Sequence, residues 1–140
     1  MIELTLPAGS LQAALQALEG GADAVYLGLR SYSARKFAVN FSFEELAQLK
    51  YEARRLNKRI YVTLNTLLDD DELDQMVPIL RRLTLIHPDG IICQDLGLAQ
   101  LIRTEFPSLE LHCSTQMAVH TVEGVRELQD LGFSRIVLSR

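Results

Sequence analysis

The sequence predicts an α/β fold in which about six strands alternate with five helices and pair in parallel. Short apolar runs typical of buried strands recur along the chain, and each of the first five precedes a longer segment with helical apolar spacing. Helix-capping and turn residues separate the two kinds of segment. Because parallel strands need long crossover connections, this alternation predicts a single parallel sheet.

The elements are predicted in the following order. The strands cover residues 2–6, 24–27, 60–64, 91–93, 109–113 and 136–138. Helices begin after Ser10, Ser42, Asp95 and Thr121, and Ser42 with Glu45 forms a capping box. The carboxylates of the acidic run 69–72 open the third helix. Pro78 falls inside the apolar period of the third helix, so we expect a kink or an early break there.

Alternating side-chain character in the strands indicates a sheet that curls into a barrel. One face of the third and fifth strands is apolar, and the other carries Tyr61, Thr63, Asn65, His112 and Ser114. A flat sheet covered by helices on both sides would have continuously apolar strands. Barrels of this type have eight strands and about 250 residues. We therefore predict that residues 1–140 form one truncated, TIM-barrel-like domain, the N-terminal part of a longer architecture.

Composition fits a globular domain of 140 residues, with 48% hydrophobic and 23% charged residues. No apolar run approaches the roughly 20 residues of a membrane span, so we expect a cytoplasmic protein without membrane contact. The net charge of −4 argues against a chain-wide nucleic-acid surface, although a local basic loop could hold phosphates. Cys93 and Cys113 are too few for a disulfide framework, and we expect both to be reduced and buried.

The long connection 28–41 is one candidate ligand-binding segment. It carries three cations, no carboxylate and three aromatic residues. The guanidinium of Arg35 or Arg30 could hold a carboxylate or a phosphate there. The alternative is a solvated loop pinned by Phe37 and Phe41.

Three amides form a second candidate group. Asn65, Gln94 and Gln116 lie at or just beyond successive strand ends, which meet at one edge of a parallel sheet. Neutral amides there could orient a polar ligand. They could also cap strand ends and hydrogen-bond within the loops.

The remaining polar motifs favour structural roles. The run 69–72 lacks the spacing of a calcium loop and suits a helix start, where carboxylates meet the helix dipole. His87, His112 and His120 lack zinc-site spacing, so we expect no metal site; His112 alone lies on the mixed face. Ser114 with His112 leaves a Ser-His-Asp set open, but no Gly-x-Ser-x-Gly elbow supports it. The catalytic residue stays unassigned.

An open six-stranded sheet would leave its first and last strands unpaired and its inner face uncovered. We therefore expect this chain to self-associate through its sheet edges.

Several segments, in order along nearly the whole chain, resemble one family. They are residues 6–9, 21–28, 33–35 with Asn40 and Phe41, 62–66, 94–97, 114–116 and 136–140. They are similar to the amino-terminal part of the collagenase-like peptidase family U32, of unassigned catalytic type. This resemblance implies a barrel-like catalytic domain, and the substrate-binding residues that we expect are Arg35, Asn40, Asn65, Gln94 and Gln116.

The resemblance implies two kinds of activity. The family name records proteolysis, yet members include enzymes that hydroxylate a base in ribosomal or transfer RNA and relatives that hydroxylate a ubiquinone precursor without oxygen. These members use an iron–sulfur cluster held by cysteines, with prephenate implicated as oxygen donor. The segments 65–73 and 112–116 look most like the ribosomal RNA member. The family's cysteine-rich segment would lie beyond Arg140, so we expect no cofactor in this chain.

We therefore expect an N-terminal fragment, inactive alone, of an enzyme that hydroxylates an RNA base and binds a small anionic ligand or RNA. In it, Arg35 would engage an anionic donor or phosphate, while Asn65 and Gln116 orient the ligand. Two alternatives remain, namely a collagenase-like protease and a non-catalytic interaction module that uses the exposed sheet.

Overall fold

A computed structural model describes residues 2–29 and 40–139 of the chain. This part contains one six-stranded sheet in the order β1 to β6, and every neighbouring pair of strands is parallel. The strands are β1 (Thr5–Pro7), β2 (Ala24–Gly28), β3 (Arg59–Leu64), β4 (Gly90–Cys93), β5 (Leu111–Cys113) and β6 (Phe133–Ile136). The helices are α1 (Leu11–Glu19), α2 (Phe43–Arg55), α3 (Asp70–Ile86), α4 (Leu96–Glu105) and α5 (Val122–Asp130), with a short 3₁₀ helix at Thr115–Met117. The predicted alternation of strands and helices is confirmed.

Side-chain caps fix the start of every described α-helix at the predicted place. The side chains of Ser10, Ser42, Asp69, Asp95 and Thr121 each accept a hydrogen bond from a backbone N–H three residues later. Ser42 with Glu45 and Asp69 with Glu72 form complete capping boxes. The acidic run therefore serves to begin α3, where its carboxylates satisfy free amides.

The expected early break at Pro78 is wrong, because α3 runs without interruption from Asp70 to Ile86. A proline inside a helix removes a backbone hydrogen bond and costs about 3 kcal/mol. Met76 on one side of Pro78 and Leu80 and Leu83 on the other are fully buried in the hydrophobic core. Tertiary packing therefore keeps the helix intact across the proline.

Both end strands differ from the predicted bounds. Ile2 is almost fully exposed, so β1 begins at Thr5 and extends to Pro7. The last strand begins three residues earlier than expected and ends at Ile136, because buried Phe133 pairs with Leu111 and Arg135 pairs with His112. A register irregularity between Leu111 and His112 accompanies this shift.

The sheet is curled. Arg135 on β6 donates a 2.7 Å hydrogen bond to Glu3, which lies just before the start of β1 in the chain. At about 4.8 Å between neighbouring strands, a flat sheet would hold these two strands about 24 Å apart, far beyond the reach of an arginine. The contact therefore requires a barrel-like curvature, and the fold is an incomplete, TIM-barrel-like β/α domain as predicted.

Curling separates an apolar layer from a mixed interior. Ile60, Val62 and Leu64 are buried with the helix residues Leu49 and Leu80 in the core. Tyr61, Thr63 and Asn65, which alternate with them, line the inner face. Within the described residues, no helix is both long and apolar enough to cross a membrane.

Candidate functional site

The inner face of the curled sheet encloses a cavity of about 370 Å³. This volume lies within the range of about 300–1,000 Å³ typical of small-molecule sites. Side chains of the strands and of the segments following them line it: Thr5, Ala8, Tyr26, Leu27, Gly28, Asn40, Tyr61, Thr63, Asn65, Ile92, His112, Ser114, Thr115, Arg135 and Val137. Period-two alternation brings these side chains to one surface.

An ion-pair group lies at the amino-terminal end of the strands. The Glu3 carboxylate accepts hydrogen bonds from Arg59 Nη1 at 2.7 Å, Arg135 Nη1 at 2.7 Å and Tyr61 Oη at 2.9 Å. The Arg135 guanidinium also lies 4.7 Å from the centre of the Tyr61 ring. Hydrogen bonds from Arg135 and Tyr61 lower the pKa of Glu3 to about 2. Glu3 is therefore ionised at neutral pH and ties β1, β3 and β6 together.

Among the residues that the structure describes, those at the opposite end of the cavity are polar but uncharged. Asn40, Asn65 and Thr115 line it, each beyond or near the carboxyl end of a strand. Thr63 Oγ1 donates a 3.0 Å hydrogen bond to the Leu27 carbonyl and joins β3 to β2 there. Of the lining residues within 2–29 and 40–139, Arg135 carries the fixed charge and none is a carboxylate. The described lining therefore offers hydrogen-bonding groups and a single fixed charge, which is paired with Glu3.

Two of the five predicted substrate-binding residues line the cavity, two do not, and one lies outside the described residues. Asn40 and Asn65 line the cavity. Gln94 is half-buried and Gln116 is exposed, and neither lines it; the Gln116 N–H donates to Ser114 Oγ at 3.2 Å. Arg35 lies in residues 30–39, outside the described part of the chain. Their role in ligand binding stays a prediction.

Sequence reasoning did not single out Tyr26 or Arg135 as cavity residues. The alternation of β2 could have assigned Tyr26, which pairs with the inward-facing Tyr61. Arg135 was not assigned to the sheet, because the predicted last strand began at Ile136, one residue after it. A buried Phe133 at the strand start was the missed signal.

The two cysteines do not fit an iron–sulfur cluster. Cys93 and Cys113 are buried, free and adjacent on β4 and β5, and they alternate with residues that line the cavity. Burial raises the pKa of Cys93 to about 12 and also raises the pKa of Cys113. Such clusters are typically held by four thiolates, whereas these are two neutral thiols. Among the described residues, no three His, Cys, Asp or Glu side chains are grouped to hold a metal ion.

Curvature, parallel β/α order and an interior cavity define a protein of the β/α-barrel class, in which binding sites lie at the carboxyl ends of the strands. Within that class, the sequence model of peptidase family U32 matches residues 9–140. The chain belongs to this family, as the resemblance of its motifs indicated.

Two relatives are named for RNA hydroxylation. The chain is 42% identical over 139 residues to the 23S rRNA 5-hydroxycytidine C2501 synthase of Escherichia coli (strain K12), covering 99% of this chain and 21% of that protein. It is 34% identical over 138 residues to tRNA hydroxylation protein P1 of Bacillus subtilis (strain 168), covering 99% of this chain and 33% of that protein. The chain thus spans about a fifth to a third of the length of these curated relatives.

A solved structure supports the fold. The U32 peptidase Mk0906 matches with a TM-score of 0.79 at 16% sequence identity, covering 99% of this chain and 58% of that chain. At this identity the similarity establishes the shared fold.

Proposed function

We propose that this chain forms the amino-terminal β/α part of an enzyme that hydroxylates a base in RNA. The observation that carries this proposal is the similarity, over nearly the whole chain, to the 23S rRNA 5-hydroxycytidine C2501 synthase. The second relative, named for tRNA hydroxylation, supports the same class of substrate. Because the chain spans a minor part of both relatives, it is expected to be inactive alone.

The cavity supports a base as ligand. Enzymes that modify a base commonly extrude it into a pocket that stacks on its faces and hydrogen-bonds to its edge. Tyr26 and Tyr61 supply rings, and Asn40 and Asn65 supply amides that can donate and accept. The lining residues that the structure describes include no carboxylate, which also suits the approach of RNA, a polyanion.

The predicted residues would have separate roles in binding the anion and in orienting the base. Arg35 would hold a small anionic oxygen donor or an RNA phosphate through its bidentate guanidinium. Asn40 and Asn65 would orient the base, with Gln94 and Gln116 contacting the ligand nearer the rim. The partners in this proposal are RNA and a small anion, and the location is the cytoplasm, where these RNAs are found.

The redox cofactor would be held outside these residues. Cys93 and Cys113 cannot supply the thiolates of an iron–sulfur cluster, so the cluster expected of the hydroxylating relatives would bind elsewhere in the full-length protein. The residues of this chain would bind and orient substrate.

The test is hydroxylation of RNA by the full-length protein in cells that lack the endogenous gene. We expect mass spectrometry of ribosomal RNA digests to show a hydroxylated cytidine that depends on the gene. Arg35→Ala should lower its level by about 10-fold or more, because a charge-assisted hydrogen bond contributes about 1.5–3 kcal/mol. Arg54→Ala, which removes an exposed arginine of α2, is the matched control and should have no effect. Equal hydroxylation by both variants would remove Arg35 from the site.

The description of the family model as a peptidase favours one alternative activity. In the described part of the chain, however, Ser114 Oγ accepts a hydrogen bond from the Gln116 N–H, and no metal-binding cluster is present. Cleavage of denatured collagen by the purified full-length protein, lost in an Asn65→Ala variant, would favour the peptidase. No gene-dependent RNA hydroxylation together with such cleavage would overturn our proposal.

A further inference from the structure

His112 on β5 lines the cavity with hydrogen-bonding capacity that the described residues leave unused. The residue is 3% exposed, and its buried Nδ1 atom has no hydrogen-bond partner among them. Its Nε2 atom lies 3.6 Å from Glu110 Oε2, which is longer than a normal hydrogen bond. Because buried polar atoms almost always have partners, the ring is placed for a group that the described residues do not supply.

The surroundings of the ring keep it neutral. Burial lowers the pKa of His112 and the Arg135 guanidinium lowers it further, against weaker opposing effects of Glu110 and Glu3. Tyr61 packs edge-on against the ring, with centroids 4.9 Å apart. Since Nε2 faces the Glu110 carboxylate, the proton belongs on Nε2 and Nδ1 is left as an acceptor.

Gly90 makes room for this ring. A Cβ atom at position 90 would lie 2.3 Å from Cε1, 2.6 Å from Nε2 and 2.7 Å from Nδ1 of His112. Carbon atoms do not approach so closely, so any other residue at the start of β4 would displace the imidazole. Gly90 and His112 thus form a matched pair on adjacent strands, and the pair sets where the nitrogen atoms lie.

We propose that His112 is a binding residue of this cavity and that its Nδ1 atom accepts a hydrogen bond from an N–H group on the pairing edge of a pyrimidine base. The assignment deepens the proposed function and rests on it. Cytosine offers its exocyclic amine, and uracil offers N3–H. Because Nδ1 is buried in the ligand-free chain, the side chains that cover it move aside when the base binds, while the ring keeps its place against Gly90.

The first measurement is a nitrogen NMR titration of the full-length protein, labelled uniformly with ¹⁵N so that His112, Asn65 and the other cavity residues are all observed. Before ligand is added, His112 should carry its proton on Nε2. Cytidine and uridine should each shift the Nδ1 resonance. N4,N4-dimethylcytidine and 3-methyluridine, which lack the donor hydrogen, should bind about 10-fold or more weakly.

Three variants separate the nitrogen from the shape of the ring. His112→Asn keeps an acceptor near the position of Nδ1 and should retain cytidine binding within about 3-fold. His112→Phe keeps a ring without nitrogen and should lose about 10-fold and also the preference over the methylated nucleosides. Gly90→Ala should reproduce that loss, whereas Gly9→Ala, where a Cβ meets nothing within 4 Å, is its control.

Binding should also depend on pH. Protonation of His112 removes the acceptor, so cytidine affinity should fall as pH drops through its lowered pKa. The His112→Asn variant should show no such fall over the same range.

The two failures are distinguishable. If the nucleosides perturb Asn65 while Nδ1 of His112 stays unchanged and His112→Phe still discriminates, this assignment is wrong and the proposed function stands. If neither nucleoside perturbs any residue of the cavity, both the base-binding function and the assignment are wrong. Should His112→Phe fail to fold, the wild-type titration and His112→Asn still decide.

Discussion

Glu3 illustrates how one side chain joins distant parts of the chain. It is 20% exposed and accepts hydrogen bonds from Arg59, Tyr61 and Arg135. Its pKa in the folded protein is about 2, below the ordinary value of 4.5. A depressed pKa means that the ionised form stabilises the fold above about pH 4.5 and that this contribution is lost as pH falls toward 2.

Glu3→Gln should therefore lower the free energy of unfolding at pH 7 by about 1–2 kcal/mol, allowing for solvent screening of a partly exposed group. The gap between wild type and variant should narrow between pH 4.5 and pH 2. Urea denaturation at pH 7, 4 and 3 measures both effects.

Glu123→Gln is the matched control. Glu123 also pairs with an arginine, Arg126, but their side chains are 78% and 65% exposed. Its loss should cost less than about 0.5 kcal/mol. A difference for Glu3→Gln that stays constant down to pH 3 would show that the carboxylate charge is not what stabilises the fold.

Which residues face the interior could largely be predicted from the sequence. Alternation in the third and fifth strands placed Asn65, His112 and Ser114 on the mixed face, and the structure confirms this. Their partners could not be predicted, because Glu3 and Arg135 are 132 residues apart and meet only through the curvature of the sheet. The packing of the His112 ring against Gly90 is likewise visible only in three dimensions.

At the scale of elements, a partly buried ion pair connects α2 to the turn before β4. Lys50 Nζ on α2 lies 2.5 Å from Asp89 Oδ2, and their side chains are 9% and 31% exposed. The same carboxylate oxygen accepts a 2.9 Å hydrogen bond from the Ile60 N–H on β3. One turn residue thereby holds a helix and a strand.

Substitution of Asp89 should lower the free energy of unfolding more than substitution of Lys50. Asp89→Ala leaves the Lys50 ammonium buried and Ile60 N–H without this acceptor, so it should cost about 3 kcal/mol or more. Lys50→Met keeps an apolar chain of similar length and leaves Asp89 with Ile60, so about 1 kcal/mol is expected. Thermal and urea unfolding of both variants and of the double variant measure these costs.

The control is Arg55→Met, because Arg55 pairs with Glu52 at 2.7 Å but is 64% exposed. It should cost less than about 0.5 kcal/mol. The double variant should lose less than the sum of the single losses, since the two side chains interact directly. If Lys50→Met is the more damaging change, the buried charge is not the cause.

The boundaries that could be predicted from the sequence are those set by residues close by in the chain. All five α-helix starts were predicted, because each is set by a cap within three residues of the chain. The continuity of α3 through Pro78 was not predicted, since it depends on the burial of Met76 and Leu80 in the core. The position of β6 depends on its pairing with β5.

For the whole molecule, the unpaired sheet edges predict self-association. In the described part of the chain, β1 and β6 each have one strand neighbour. Exposed apolar residues flank both edges, with Leu4 51% and Leu138 55% exposed. Unpaired backbone groups beside apolar side chains favour pairing with another strand. Light scattering of the 140-residue chain should therefore show dimers or larger species whose mass rises with concentration.

Lysine at the edges should suppress this association, because a charged edge strand resists pairing with a second copy. The double variant Leu4→Lys with Leu138→Lys should move the scattering mass toward that of the monomer. Leu85→Lys changes an 86% exposed leucine on α3, away from both edges, and should leave the mass unchanged. The idea fails if the unmodified chain is a monodisperse monomer at high concentration. An equal response to the edge and helix variants would instead assign the association to general surface hydrophobicity, since the edges would then have no special part in it.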